Sequence, residues 1–292
     1  MNLKLYRELI EENLDKYLKI KYPEKIWESM RYSVLNGGKR LRPIILLETS
    51  RIISGDYKNA IPVACALEML HCQSLIHDDL PSMDNDDYRR GKLTNHKVFG
   101  ESTAILAGDA LLSFAPQIII ENMSKDIPCN NILKILQEFF IAAGANGIVA
   151  GQVVDIDSEG KDINKDTLKF IHKYKTAALF KAACKMGAII ANGTDKQIDE
   201  MDLFGENLGL AFQICDDILD EVSSLEELGK TPGKDYIAKK STYIRYVGID
   251  QSRIILQNYC NKAIEILREN NLQSKILEEI TFEVMNKGCI KK

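Results

Sequence analysis

A chain of 292 residues, 45% hydrophobic and 27% charged, is long enough to bury a substantial core as one large domain or two. Its net charge of −4 and pI near 5.7, with basic residues dispersed along the chain, exclude a general nucleic-acid binder and leave small molecules as the expected partners. Only seven thinly spread prolines, among abundant Leu, Ile, Ala, Glu and Lys, favour an all-α protein.

The first twenty residues carry Tyr6, Leu9, Ile10, Leu14, Tyr17 and Leu18 at helical spacing with acids between them, a pattern unlike a signal peptide. Pro23 marks a short break, and a second helix is expected from about Glu24 to Leu35. It ends in NGGKRLRP, Asn36 to Pro43, where glycines allow a left-handed cap and Pro43 can open the next helix. Lys39, Arg40 and Arg42 are therefore gathered at a helix junction, although the spacing of a Walker loop is missing. The next helix runs over Ile44 to Ile53 and closes at Ser54-Gly55-Asp56.

A long helix from about Tyr57 to His77 then delivers the densest acidic stretch, LIHDDLPSMDNDDYRR, Leu75 to Arg90. Asp78, Asp79 and Asp84 crowd its end, and carboxylates so placed need full solvation or a hard cation. A second cluster, Asp216, Asp217 and Asp220 in QICDDILDE, lies far away in sequence, with Asp216 and Asp220 one helical turn apart. Two oxygen-ligand sets facing across a cavity suit Mg²⁺ bridged by phosphate oxygens, whereas a calcium loop lacks its glycine and glutamate. His71, two turns before Asp78 on the same face, can donate a hydrogen bond to a diphosphate or serve as a core residue; His77 has the weaker claim.

Gly91 to Gly100 reads as a loop and Glu101 to Asn122 as an apolar helix in which Asp109 makes a buried polar contact. Asn131 to Asp157 is expected as one helix, with Gln152 and Asp155 sharing a face that lines a cavity or caps the helix end. Thr167 to Ala191 follows, bearing Lys173, Lys175 and Thr176, and then Gln197 to Leu219, bearing Gln213 and the second acidic cluster. The polar loop from Glu221 to Lys240, with Lys230, Lys234, Lys239 and Lys240, has the make-up of a lid that closes over phosphate or of a surface loop. Amphipathic packing helices complete the chain from Ser252 to Met285.

No apolar run approaches the ~20 residues that span a bilayer. The seven cysteines form no CxxC pair and suit a reduced cytoplasmic protein. No linker separates two domains, so residues 1–292 are expected to form one helical bundle around a central cavity.

GGKRLRP, then DDxxxxD followed by RR, then KT, then QxxDDxxD, then GK on a loop, is the motif order of the trans-isoprenyl diphosphate synthases. The chain resembles that family, short-chain bacterial type, from Arg31 to Leu228 and more loosely to Tyr243. The resemblance implies a single isoprenoid synthase domain with a deep central cavity, a homodimer, and a requirement for Mg²⁺, three ions per site, with Mn²⁺ as a substitute. It assigns Asp78 and Asp84 to two ions on the allylic diphosphate and Asp216 to a third, with Asp79, Asp217 and Asp220 secondary. Arg89, Lys175 and Lys230 match the grip on the allylic diphosphate; Lys39, Arg42, His71 and Arg90 match the site for isopentenyl diphosphate. Thr176 and Gln213 match residues beside the developing allylic cation. Breaking the allylic carbon–oxygen bond requires charge stabilisation of the leaving diphosphate and a dry cavity for the cation. The released diphosphate can take the final proton, so no catalytic His or Glu base is required.

In such enzymes, residues just upstream of the first Asp set product length, and bacterial farnesyl enzymes commonly carry an aromatic five residues before it. Here Gln73 stands there, with Ser74 next, and residues four or five back lie roughly 6 to 8 Å deeper along the helix. Farnesyl diphosphate is placed first as product, with geranylgeranyl diphosphate the alternative. A terpene cyclase has no use for the second diphosphate pocket built from GGKRLRP and His71. A non-catalytic subunit of a hetero-oligomeric synthase could dispense with its aspartates, which this chain keeps.

Overall fold

The computed structural model describes residues 2–222 and 243–289, whose regular secondary structure is helical apart from one short antiparallel hairpin. The first helices are α1 (Leu3–Tyr17), α2 (Glu24–Val34), α3 (Leu41–Ser54) and α4 (Ile61–Asp78), followed by strands β1 (Tyr88–Arg89) and β2 (Lys92–Leu93). Then come α5 (Asn95–Phe99), α6 (Glu101–Asn122), α7 (Cys129–Ala143), α8 (Ile148–Asp157), α9 (Lys165–Ile171), α10 (Ala178–Ile190) and α11 (Asp195–Val222). Beyond the undescribed residues lie α12 (Tyr243–Val247), α13 (Ile249–Glu269) and α14 (Lys275–Cys289). The expected lid lysines, Lys230, Lys234, Lys239 and Lys240, fall outside the described residues.

Helix α4 is the axis. Pro62 sits in its first turn, where a missing N–H costs nothing, and residues such as Val63, Leu67, Met69 and Leu70 bury its whole circumference. It packs between α3 and α6, while α10 lies on α3 and α11, and α13 and α14 back α11 from outside. One apolar core runs through all of these from Tyr6 to Val284. The ends of α4 and α11 thereby come to the same side of the bundle.

Several elements depart from the sequence expectation. Helix α3 begins at Leu41 rather than Ile44, because Arg40 takes the left-handed conformation (φ 53°) as its N-cap and Pro43 fits the first turn. Helix α4 begins at Ile61, after a 3₁₀ turn over Lys58–Ala60. Residues 131–157 do not form one helix: the chain breaks between α7 and α8 at Gly144–Gly147, where a Cβ on Gly147 would lie 2.1 Å from the Ala142 carbonyl oxygen. The expected loop over residues 91–100 contains β2 and α5. Tyr88 pairs with Leu93, and the hairpin turns through Arg90 (φ 54°) and Gly91 (φ 76°), two left-handed residues in succession as a type I′ turn requires. Asp109 is exposed on α6, 4.0 Å from His77 Nε2, rather than buried.

The expectation about apolar runs also changes. Helix α6, 22 residues with mean hydropathy 1.6, and Cys129–Asp157, with 1.5, are each long and apolar enough to cross a membrane by length and composition. Asp109, Ser113 and Gln117 interrupt the run along α6, so an unbroken apolar stretch was not visible. Within the protein 44% and 33% of these windows are buried.

The C-terminal helix is tied to the N-terminal half by one buried carboxylate. Glu48 on α3 accepts from Tyr6 Oη at 2.7 Å, from Arg51 Nε and Nη2 at 2.8 and 2.7 Å, and from Ser274 Oγ. Ser274 in turn caps α14, accepting from the Leu277 N–H at 3.2 Å. Burial opposes ionisation of Glu48, but these donors hold its carboxyl below the ordinary value. Replacing Glu48 by Ala strands Tyr6, Arg51 and Ser274, and should cost about 3 kcal/mol of stability, measured by denaturant unfolding. Because the folded pKa lies below the unfolded one, wild-type stability drawn from this group is present above the usual carboxylate range and lost as pH falls through it; Glu48→Ala should flatten that acid limb.

Candidate active site

Asp78 is the last residue of α4 and Asp79 its C-cap, so both carboxylates leave the buried axis where it reaches the surface. The turn after Pro81 folds back on them. The Asp84 N–H donates to the Asp78 carbonyl at 2.8 Å, and the Asp86 N–H donates to that of Asp79 at 3.2 Å. Thr94 Oγ1 holds the Asp86 carbonyl at 2.7 Å, and Asn95 anchors the segment to α2 through Ser29 and Ser33. The acids are therefore fixed in place by their own backbone.

The hairpin supplies the cations. Arg89 donates to Asp79 from Nε at 3.1 Å and from Nη2, and to Asp86 Oδ2 at 3.3 Å. Burial and the nearby Asp78 and Asp84 carboxylates push the Asp79 carboxyl up, with Arg89 opposing. Arg90 donates to the Gly37 carbonyl, and its guanidinium packs where a side chain on residue 38 would stand: a Cβ there would lie 2.8 Å from Arg90 Cζ. With φ +130°, Gly38 has no substitute, which explains the paired glycines of GGKRLRP.

From α3, Arg42 stacks its guanidinium on Phe180 at 4.6 Å and approaches His71 Nε2 at 3.4 Å. Burial lowers its pKa to about 10, so it stays charged at neutral pH. A guanidinium only donates, so His71 Nε2 accepts and the proton sits on Nδ1. Burial and four surrounding arginines, 42, 90, 89 and 40, hold His71 neutral, well below its ordinary pKa.

The facing wall comes from α10, α11 and a π-helical turn over His172–Ala177. Glycines on either side make room for this wider turn. A Cβ on Gly151 of α8 would lie 2.2 Å from the Lys175 N, and one on Gly209 of α11 would lie 2.6 Å from Ala177 Cα. Lys175 Nζ pairs with Asp155 Oδ2 at 2.5 Å. Thr176 Oγ1 donates to Gln213 Oε1, and Gln213 Nε2 donates to Asp217 Oδ1 at 2.8 Å. Behind them His172 Nε2 lies 3.6 Å from Asp217 Oδ2.

One cavity of about 320 Å³ opens between these walls. Asp78 and Asp216 line it from α4 and α11, with Arg42, Arg89, Arg90 and Lys175 around them. His71, Ser74, Thr176 and Gln213 add polar edges, and Leu75, Leu179 and Phe212 an apolar wall. Among the described residues no three His, Cys, Asp or Glu side chains are clustered as a ready metal cage. Carboxylates divided across a hollow instead suit Mg²⁺, which takes one or two from protein and the rest from phosphate and water.

Not every expected residue reaches the hollow. Lys39 is exposed on the α2–α3 connection and does not border the cavity, because the left-handed Arg40 turns the chain there. Arg40 itself is buried, donating to Glu68 Oε1 and the Val34 carbonyl, both at 2.7 Å. Asp79, Asp217 and Asp220 are buried behind the rim, and Asp84 is half-buried on the turn. Gln73, expected at the floor, is turned away: four residues before Asp78 brings Ser74 to the cavity side, and one step further rotates Gln73 by about 100°. Gln73 Nε2 lies 3.1 Å from His77 Nδ1 instead. The sequence reading left Asp155 undecided between cavity and helix cap, and it did not find His172 or Phe180. Contacts across helices carry no local sequence signal, although Phe180 follows Thr176 by one helical turn.

A hollow rimmed by facing carboxylates and four cations, with an apolar wall below, defines a site for a diphosphate that carries an oily tail. The polyprenyl synthetase family model matches residues 23–280, and the chain belongs to that family of prenyltransferases. It is 50% identical over 250 residues to the heterodimeric geranylgeranyl pyrophosphate synthase large subunit 1, chloroplastic, of Arabidopsis thaliana, covering 84% of this chain and 67% of that one. A dimethylallyltranstransferase of Fischerella ambigua is 48% identical over 258 residues, covering 88% and 74%. Among solved structures, a geranyltransferase from Helicobacter pylori, complexed with magnesium and isoprenyl diphosphate, aligns with a TM-score of 0.82 at 29% identity over 98% of this chain and 96% of that one.

Burial lowers the His172 pKa to about 4. Nitrogen-15 NMR of the imidazoles should therefore find His172 neutral at pH 6. Since the folded pKa lies below the unfolded one, the stability it contributes is present above about pH 6.5 and declines as pH falls toward 4.

Proposed function

We propose that this chain elongates allylic diphosphates with isopentenyl diphosphate, head to tail, and carries the product to geranylgeranyl diphosphate. The observation that carries the C20 reading is the small Ser74 on the cavity side of α4, with Gln73 turned aside. The Arabidopsis relative's name supports the same length. Farnesyl diphosphate, placed first from sequence, remains the second reading, favoured by the length of the Gln73 side chain one step from the cavity.

In this reading Arg42, Arg90 and His71 bind isopentenyl diphosphate, joined by Lys39 once its flexible stem reaches inward. Arg89, Lys175 and Lys230 grip the allylic diphosphate. Asp78, Asp84 and Asp216 would hold Mg²⁺, expected as three ions, which would supply the charge that lets diphosphate leave. Thr176 and Gln213 turn oxygens toward the developing cation, and the Asp217 hydrogen bond fixes the Gln213 amide so that its oxygen, not its nitrogen, faces Thr176. Leu179 and Phe212 exclude water, which would trap the cation as an alcohol. Loss of a proton to the released diphosphate completes the step, consistent with a neutral His71 already occupied by Arg42.

We further propose that residues 1–292 act as one catalytic unit within a homodimer. Leu106 and Ile120 on α6, Leu133 and Phe140 on α7, and Val149 and Val153 on α8 are all at least 47% exposed, and the two pairs on α6 and α7 repeat at helical spacing. A second copy covering this surface accounts for the apolar windows of α6 and α7–α8 without a membrane. The seven free cysteines keep the cytoplasm as the assigned compartment, although the Arabidopsis relative is named as chloroplastic.

Incubating the purified protein with Mg²⁺, isopentenyl diphosphate and dimethylallyl, geranyl or farnesyl diphosphate should give C20 product from each starter. Products ending at C15, with farnesyl diphosphate untouched, would reverse the choice of length. Asp78→Ala should lower kcat/KM by about a hundredfold or more, and an unaltered rate in that variant refutes the metal assignment. Ser74→Phe should shift products toward C15. Light scattering should give twice the 32.9 kDa chain mass, and a monomer at micromolar concentration removes the dimer.

A further inference from the structure

We infer that His77 is a positioning residue for product length: it holds the Gln73 amide on the α6 side of α4 and so keeps the tail channel beside Ser74 open. The inference rests on the chain-elongating reading above and adds to it a residue that touches no substrate. The Ile105 carbonyl oxygen, 3.1 Å from His77 Nε2, can only accept, so Nε2 carries the proton and donates to it. Nδ1 is then a lone pair, and it accepts from Gln73 Nε2 at 3.1 Å. One tautomer, donating from Nε2 and accepting at Nδ1, satisfies both neighbours and orients the amide.

Helix α6 makes the space for this ring. A Cβ on Gly108 would lie 2.0 Å from His77 Nε2, so an alanine there and the present imidazole position exclude one another. Gln73 is only 9% exposed, and without Nδ1 its buried amide would lack its acceptor. A long, rotatable side chain relieves that by changing rotamer. The adjacent Ser74, whose hydroxyl donates to the His71 carbonyl at 2.9 Å and keeps its oxygen as an acceptor, offers the amide a partner on the cavity side. A glutamine moved there narrows the channel in which the prenyl tail grows.

The test is product length in a double-mutant set assayed with dimethylallyl diphosphate and isopentenyl diphosphate. His77→Leu should raise the ratio of C15 to C20 products by about threefold or more, and in a Gln73→Ala background His77→Leu should leave that ratio unchanged. Gly108→Ala, which keeps His77 but displaces its ring, should reproduce the shift and tests the contact independently if His77→Leu does not fold, as thermal melts will reveal. An unchanged ratio in folded His77→Leu, or an equal shift with Gln73 already removed, overturns the inference. Wild-type protein that makes no prenyl product from any starter overturns the elongating reading instead, so the two failures are distinguishable.

Discussion

Two aspartates, Asp78 and Asp216, open on the same hollow from helices whose inner faces are buried among apolar side chains, and this juxtaposition of negative charge governs the surrounding structure. Carboxylates at the mouth of a low-dielectric bundle repel one another and lose hydration. The chain answers with cations at fixed positions: Arg89 clamped on Asp79 and Asp86, Arg42 stacked on Phe180, Arg90 locked against Gly38, and Lys175 paired with Asp155. These cations come from three separate segments, α3, the hairpin and the π-helical turn. Their convergence explains why a short hairpin and a π-helical turn persist in a helical protein.

Behind the rim a buried polar relay carries the geometry inward. Thr176 is oriented by Gln213, Gln213 by Asp217, and Asp217 faces a neutral His172. A relay of this kind is costly when any member lacks a partner and specific when all are paired. It leaves the second aspartate of QICDDILDE as a structural partner of the site's amide, while the first faces the hollow. The same division holds at the other cluster, where Asp78 lines the cavity and Asp79 is engaged by Arg89.

The parts of the fold legible in sequence were those set by local chemistry. Helix α6 runs over the expected residues 101–122, and α2 stops one residue short of the expected end, because apolar periodicity and flanking glycine or proline define both. The two aspartate clusters were found because their spacing is itself the signal. What was hidden depends on tertiary contact. The break at Gly144–Gly147 and the π-helical turn arise from backbone approach to other segments, and the hairpin turns on Arg90-Gly91, which lacks the Asn-Gly signature of its turn type. Lys39 and Gln73 were assigned by position in a motif, but which side of the chain each occupies depends on the left-handed Arg40 and on the rotation of α4 against α6.

The π-helical turn has a consequence for how the chain tolerates change in length. A π turn holds one residue more than the α-helix around it. Deleting one residue between His172 and Ala177 would restore ordinary helical winding and leave α9 and α10 near their present relative rotation, because the wider turn absorbs the added residue, but it would redirect the side chains inside the turn. Lys175 would then leave Asp155, and Gly151 would face a different stretch of backbone. The additional residue is therefore a feature of the site rather than of the bundle: the helices on either side keep their rotation without it, whereas the aim of Lys175 at Asp155 does not survive its loss.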